Sequence, residues 1–153
     1  MTIIQLHTFI HAPIVTVFDN ARNINLHMDS AYKTKEIAIA GKTSGLIDIY
    51  ETVTWRGKHF GIYLKHQSKI TSLRHPTFFI DEMINGHFKS FKHQHIFKET
   101  SNGTEMIDLL SYETPYSLFG KIFDRMILKN HLTKFLLTRN KFIKMKTEQS
   151  SVK

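Results

Sequence analysis

Apolar and polar residues alternate over residues 2–11, with Ile4, Leu6, Thr8 and Ile10 on one side and Ile3, Gln5, His7 and Phe9 on the other. A period of two predicts a strand, here apolar-leaning on both faces. Pro13 then stands where a first helical turn tolerates it, and Val17, Phe18 and Ala21 make one apolar face through Arg22, so a short helix follows. Residues 23–30 carry a second, weaker helical pattern. Further extended stretches are predicted over residues 35–40, 47–56, 58–72, 77–84, 88–100 and 104–113, separated by the turn residues Gly41, Gly45, Gly57, Pro76, Asn85-Gly86 and Asn102-Gly103. Connections this short imply an antiparallel meander.

After Pro115 the period lengthens to about 3.6 and stays helical to residue 146. Phe119, Ile122, Phe123 and Met126 share one face, whereas Leu132, Phe135, Leu136, Arg139, Phe142 and Ile143 share another. The stripe rotates between Leu128 and His131. That predicts two helices, or one broken near Asn130, followed by a frayed tail over residues 147–153 with no core residue beyond Val152.

These elements make an α+β fold in which a curved antiparallel sheet of about seven strands wraps a long C-terminal helix, with two short helices near the N-terminus. The 153 residues leave room for one domain, placed at 1–146. A composition 41% hydrophobic and 22% charged excludes a disordered chain. With no Cys, thiolate catalysis, Cys-bound zinc and disulfides are excluded. The first 15 residues lack a basic start and a small-residue cleavage pattern, and no apolar run approaches ~18 residues, so a cytoplasmic protein is expected. The net charge of +8 is uneven: residues 1–114 hold 12 Lys/Arg against 11 Asp/Glu, and residues 115–153 hold 9 against 2. The basicity belongs to the C-terminal segment.

Several segments, in order, resemble a known family: HAPIVTVFDNARN near the start, TWRGKHFG (54–61), FFIDEM (78–83), GHFKSFKHQHIF (86–97), GTEMIDLLSYETP (103–115) and the closing helix with Arg139. Nearly the whole chain is similar to the START and polyketide-cyclase-like superfamily, SRPBCC, and within it to a bacterial ligand-binding or cyclase-like branch. The resemblance implies the helix-grip fold and a cavity for an apolar ligand. It does not imply a substrate.

Phe91, His93, His95 and Phe97 alternate on one strand face, and the two Phe would turn that face inward. Two imidazoles go in with them and must be paired or hydrated, as a polar cavity wall or as a structural network. A His-x-His pair can also hold a metal, with a third ligand from Asp81, Asp108, His59 or His66. Nothing in the spacing supplies that third ligand, so no metal and no cofactor are expected. Asp81, between Phe79 and Met83, and Asp108, between Met106 and Leu110, are acids among apolar neighbours. Arg139, on the apolar stripe of the last helix, is their natural partner, either in an internal salt bridge or as an anchor for a ligand's carboxylate or phosphate at the cavity mouth. Trp55 and Phe60 flank Arg56-Gly57-Lys58, read as a tight turn, and are expected at the pocket rim or in the core. Tyr112 offers a hydroxyl for substrate orientation or acid catalysis, or a tether for the sheet edge.

The expected function is binding of a small, largely apolar molecule between sheet and helix, by a carrier or sensor. The ligand-binding set is His93, His95, Phe91, Phe97, Asp81, Met83, Asp108, Tyr112, Trp55, Phe60, Arg139 and Phe135. The alternative is a cyclase- or dehydratase-like enzyme using the same cavity. A third reading comes from Lys121, Arg125 and Lys129, which recur at i+4 and attract an anionic partner. Aromatic residues do not interleave with these cations, which disfavours nucleic acid and leaves a peripheral anionic membrane contact.

Overall fold

The computed structural model describes residues 1–151, Ser151 by its backbone alone. The order is β1 (Thr2–Ile10), α1 (Ile14–Ala21), α2 (Ile24–Ser30), β2 (Ile37–Gly41), β3 (Thr52–His59), β4 (Ile62–Arg74), β5 (Phe78–Asn85), β6 (Ser90–Thr100), β7 (Gly103–Glu113), α3 (Ser117–Phe123), a π-helical turn (Asp124–Leu128) and α4 (Lys129–Ser151). The strands form one antiparallel sheet in the order β1-β7-β6-β5-β4-β3-β2. Bulges at Ala38/Ala40, Gln67/Ser68 and Ile70/Ser72 bend the sheet. The curl is large. It lets α4 reach β7 through Asn140 and Asp108 and, from the same helix, β3 through His131 and His59.

Two clusters of buried side chains fill the space between sheet and helices. One joins Phe18, Trp55, Phe79, Phe97 and Ile143, and the other joins Ile4, Leu110, Tyr112, Leu132 and Leu136. Along α4 the buried positions Leu132, Leu136, Asn140, Ile143 and Thr147 recur at helical spacing. Thr147 is fully buried, so the tail expected from residue 147 is helical through Ser151; Val152 and Lys153 lie outside the described residues.

Two expected elements move. Residues 47–51 are not a strand: Tyr50 takes a left-handed φ of 65° and its N–H donates to the Ile70 carbonyl at 2.9 Å, while the Asp48 N–H donates to Glu51 Oε2 at 2.8 Å. Those bonds curl the chain before β3 begins. The turn expected at Gly57 lies three residues later. His59 pairs with Ile62, leaving Phe60 and Gly61 as a two-residue loop with φ of 53° and 84°. Two positive φ values suit the right-handed twist of the flanking strands. Gly57 stays inside β3 for want of space: a Cβ there would meet His59 Nε2 at 3.1 Å and Glu36 Oε2 at 3.3 Å. The expected helix break near Asn130 is the π turn just before it.

Candidate functional site: a histidine-lined cavity

Between α4 and the sheet lies a cavity of about 200 Å³. Its inner walls are apolar, from Ile24, Ile47, Val53 and Ile70 on one side and Leu110, Leu132 and Leu136 on the other. Exposed Phe60, Lys65 and His87 mark the mouth. Seven of the chain's ten histidines line it: His27, His59, His66, His87, His93, His95 and His131.

The deep polar group is built by register. Asp81 on β5 faces His93 on β6, and His95 faces Asp108 on β7, so two acids flank two imidazoles on one sheet face. His93 Nε2 is hydrogen-bonded to Asp108 Oδ1 at 2.9 Å, and His95 Nε2 to Asp81 Oδ2 at 3.3 Å. His95 Nδ1 also lies 2.9 Å from Asp108 Oδ1, but off the line a hydrogen bond requires. From α4, Asn140 Nδ2 donates to Asp108 Oδ2 at 2.6 Å, and Arg139 Nη1 stands 3.7 Å from Asp108 Oδ1. Arg139 Nη2 donates to the Ala21 carbonyl at 2.8 Å, capping the end of α1. Burial by itself would push the Asp108 carboxyl up; the contacts from His93 and His95 outweigh it and hold the group well below the usual carboxylate range. Asp81 is lowered by the same balance, burial opposed by His95 and His93. His93 is lowered by burial and then by its neighbour His95, so it stays neutral near pH 7.

Nearer the mouth is a second group drawn from three elements and the loop before β2. His27 Nε2 bonds Glu36 Oε1 at 3.0 Å, His59 Nε2 stands 3.9 Å from Glu36 Oε2, and His59 Nδ1 shares a 2.9 Å hydrogen bond with His131 Nε2. His27 also lies against the Trp55 ring at 4.2 Å. Burial lowers His59 and His131, and it lowers His66 as well. His66 packs edge-on against Phe91 and has no hydrogen-bond partner among the described residues.

Of the twelve residues expected to contact a ligand, eight line the cavity: His93, His95, Phe91, Asp81, Trp55, Phe60, Arg139 and Phe135. Four do not. Phe97 packs into the core against Phe18 and Phe79. Met83 lies on β5 beyond the cavity wall, against Gly86. Asp108 is fully buried behind the two imidazoles. Tyr112 turns its hydroxyl away, donating to Asp124 Oδ1 at 2.5 Å, and burial with that bond raises its pKa. Arg139 is deep rather than at the mouth, 4% exposed. Glu36, His27 and His131 are absent from the expected set. His59 is expected only as a metal ligand; alternation of Val53, Trp55, Gly57 and His59 on one face would point to it, but Gly57 reads as a turn.

The atoms best placed for a metal are those of Asp81, His93 and His95, within 4.8 Å of one another. Asp108 behind both rings is where a carboxylate orienting such ligands would stand. The same contacts satisfy both Nε2 atoms without an ion.

No family model matches the chain, and no curated relative matches it. Solved structures do. The protein TTHA0849 from Thermus thermophilus superposes with a TM-score of 0.80 at 14% identity, over 98% of this chain and 99% of that one. The Zhui aromatase/cyclase from a Streptomyces species does so at 0.76 and 10%, over 97% and 94%. The ginseng major latex-like protein 151 from Panax ginseng gives 0.68 and 14%, over 95% and 97%. The fold is the helix grip, which the chain shares with these structures. Among the described residues no helix is long and apolar enough to cross a membrane.

Proposed function

We propose that the protein binds a small, largely apolar molecule in this cavity, as a carrier or sensor. The observation that carries the reading is the cavity itself: about 200 Å³ walled by Ile, Leu, Val and aromatic side chains, with polar groups gathered at a few points. Apolar burial drives affinity at roughly 25 cal/mol per Å², and polar groups set orientation. The volume sits below the roughly 300–1,000 Å³ of ordinary ligand pockets, and an engineered cavity of roughly 150 Å³ holds one benzene. The guest is therefore about the size of a substituted ring. His66 and Asp81 are its polar contacts, since Asp108 and Arg139 are committed to each other and to the protein's own backbone and side chains. We read the Asp81, His93 and His95 group as hydrogen-bonded rather than metal-binding, because both Nε2 atoms already face carboxylates.

Trp55 is the chain's single Trp, is 8% exposed and lines the cavity, so its fluorescence reports occupancy. Native mass spectrometry of freshly purified protein is expected to show a co-purifying small molecule and no stoichiometric transition metal. Titrating aromatic probes into extracted protein is expected to shift Trp55 emission saturably. A protein that carries no guest and shows no saturable shift with any apolar probe overturns the reading.

One observation favours a second reading, that of an enzyme acting by proton transfer. His59, His66 and His131 line the cavity with their pKa values pushed down, so each is a neutral base near pH 7. Turnover of a cyclisable carbonyl compound that is lost in His66→Ala or His59→Gln with the fold intact would establish it.

A further inference from the structure

The first turns of the C-terminal helical segment, beside the mouth, are built inside out. Leu118, Phe119, Ile122, Phe123, Met126 and Ile127 recur at i+4 along α3 and the π turn, the pattern of a core-facing stripe, yet all are exposed, Phe119 by 82% and Met126 by 69%. The inward positions are Gly120, Asp124 and Leu128. Asp124 holds that orientation, accepting hydrogen bonds from Tyr112 and from Thr2, and a Cβ on Gly120 would lie 1.9 Å from the Pro115 carbonyl oxygen. The apolar face is thus fixed outward by buried polar contacts.

The stripe joins the β3–β4 hairpin. Phe123 meets Phe60 at 5.5 Å between ring centres, and Phe60 lies over His131 at 4.5 Å at the cavity mouth. Beyond Phe60, Ile62 and Tyr63 are also exposed, with Arg56 and Lys58 about the Tyr63 ring at 5.6 and 6.0 Å. Lys121, Arg125 and Lys129, all exposed, border the stripe one turn apart. Exposed apolar residues rimmed by Lys and Arg, with a Tyr among them, match the interface of an anionic bilayer: apolar groups enter the acyl boundary while cations stay at the headgroups.

We propose that α3, the π turn and the β3–β4 hairpin dock on an anionic lipid membrane and bring the cavity mouth against it. The surface stands apart from what the cavity holds. If the cavity binds an apolar guest, docking gives that guest a path that avoids bulk water.

The test is flotation of purified protein with guest-free vesicles of phosphatidylcholine alone or mixed with phosphatidylglycerol, at about 0.1 M salt, where the Debye length is about 10 Å. The wild type is expected to float with the anionic vesicles and weakly with the neutral ones. Phe119→Ser/Met126→Ser and, separately, Lys121→Glu/Arg125→Glu are each expected to lower partitioning about tenfold or more. All four positions are exposed, so unchanged circular dichroism and Trp55 emission keep the loss from being unfolding. Failure of the wild type to float with anionic vesicles, or variants that float equally well, overturns the proposal. So does a wild-type dimer that Phe119→Ser/Met126→Ser makes monomeric, which gives the face to a second copy, or binding that prefers single-stranded DNA to vesicles. Because the vesicles carry no guest, an unfilled cavity leaves this result untouched.

Discussion

The cavity has two polar ends built from the same residue types. At the deep end, His93, His95, Asp108, Arg139 and Asn140 are all under a tenth exposed, and their side-chain hydrogen bonds run to one another, to Asp81, to Thr8 and to Ala21, with His95 Nδ1 left without one. Nearer the mouth, His59 and His131 are partly exposed, their shared hydrogen bond joins β3 to α4, and His66 close by has no hydrogen-bond partner among the described residues. Satisfaction, more than residue identity, separates a group that holds the fold from one free to meet a guest. Burying an unpaired polar group costs more than a good pair contributes, so the deep groups are structural first.

The largest effect is therefore expected from Asp108→Ala, which leaves donors on His93, Asn140 and Arg139 facing an apolar gap. Breaking one partner of a buried ionic network costs about 3–5 kcal/mol. Urea denaturation at pH 7 is expected to show a loss of that order, with Asp108→Asn losing less because its amide oxygen still accepts. A stable Asp108→Ala protein that binds guest poorly would reverse the contrast and make the deep end the ligand site.

The second effect is a pH dependence shared by both ends. His59, His66, His93 and His131 have folded pKa values below their ordinary 6.5. The unfolded chain then takes up protons that the folded chain refuses as pH falls below about 6.5, so stability is full above that pH and declines below it. The carboxylates of Glu36, Asp81 and Asp108 are lowered too, so their contribution is lost only further down, as pH falls below their ordinary values of 4.5 and 3.8. Each proton gained on unfolding steepens the slope by up to about 1.4 kcal/mol per pH unit, less for the half-exposed His131. Unfolding free energies measured from pH 7.5 to 5 are expected to fall, and His59→Gln to flatten the fall. Stability that rises toward pH 5 would contradict the neutral imidazoles.

Most of the strand sequence and the inward turn of His93 and His95 are legible because both rest on period-two alternation, which local chemistry alone decides. What was not legible depends on distant partners. Gly57 reads as a turn until Glu36 and His59 are seen to need its missing side chain. The mouth group takes His27, Glu36, His59 and His131 from places in the chain with no common spacing. The outward face of α3 runs against its own pattern because Tyr112 and Thr2 hold Asp124 in the core. Periodicity shows that a stripe exists and not which side of it is covered.

The smallest change in stability, and the sharpest separation of the two ends, is expected from His66→Ala. Its ring is partly exposed and edge-on to Phe91, and with no hydrogen bond to lose, truncation should cost about 0.5–1 kcal/mol of folding stability. Affinity behaves differently. If His66 meets the guest's polar end, one lost hydrogen bond in a dry site is about 1.4 kcal/mol, a tenfold weaker Kd by Trp55 titration. His66→Gln, which keeps a donor and an acceptor, should recover part of it. Affinity unchanged in both variants would place the guest's polar end elsewhere, and Asp81, the half-buried acid at the inner edge of the same wall, becomes the next residue to replace.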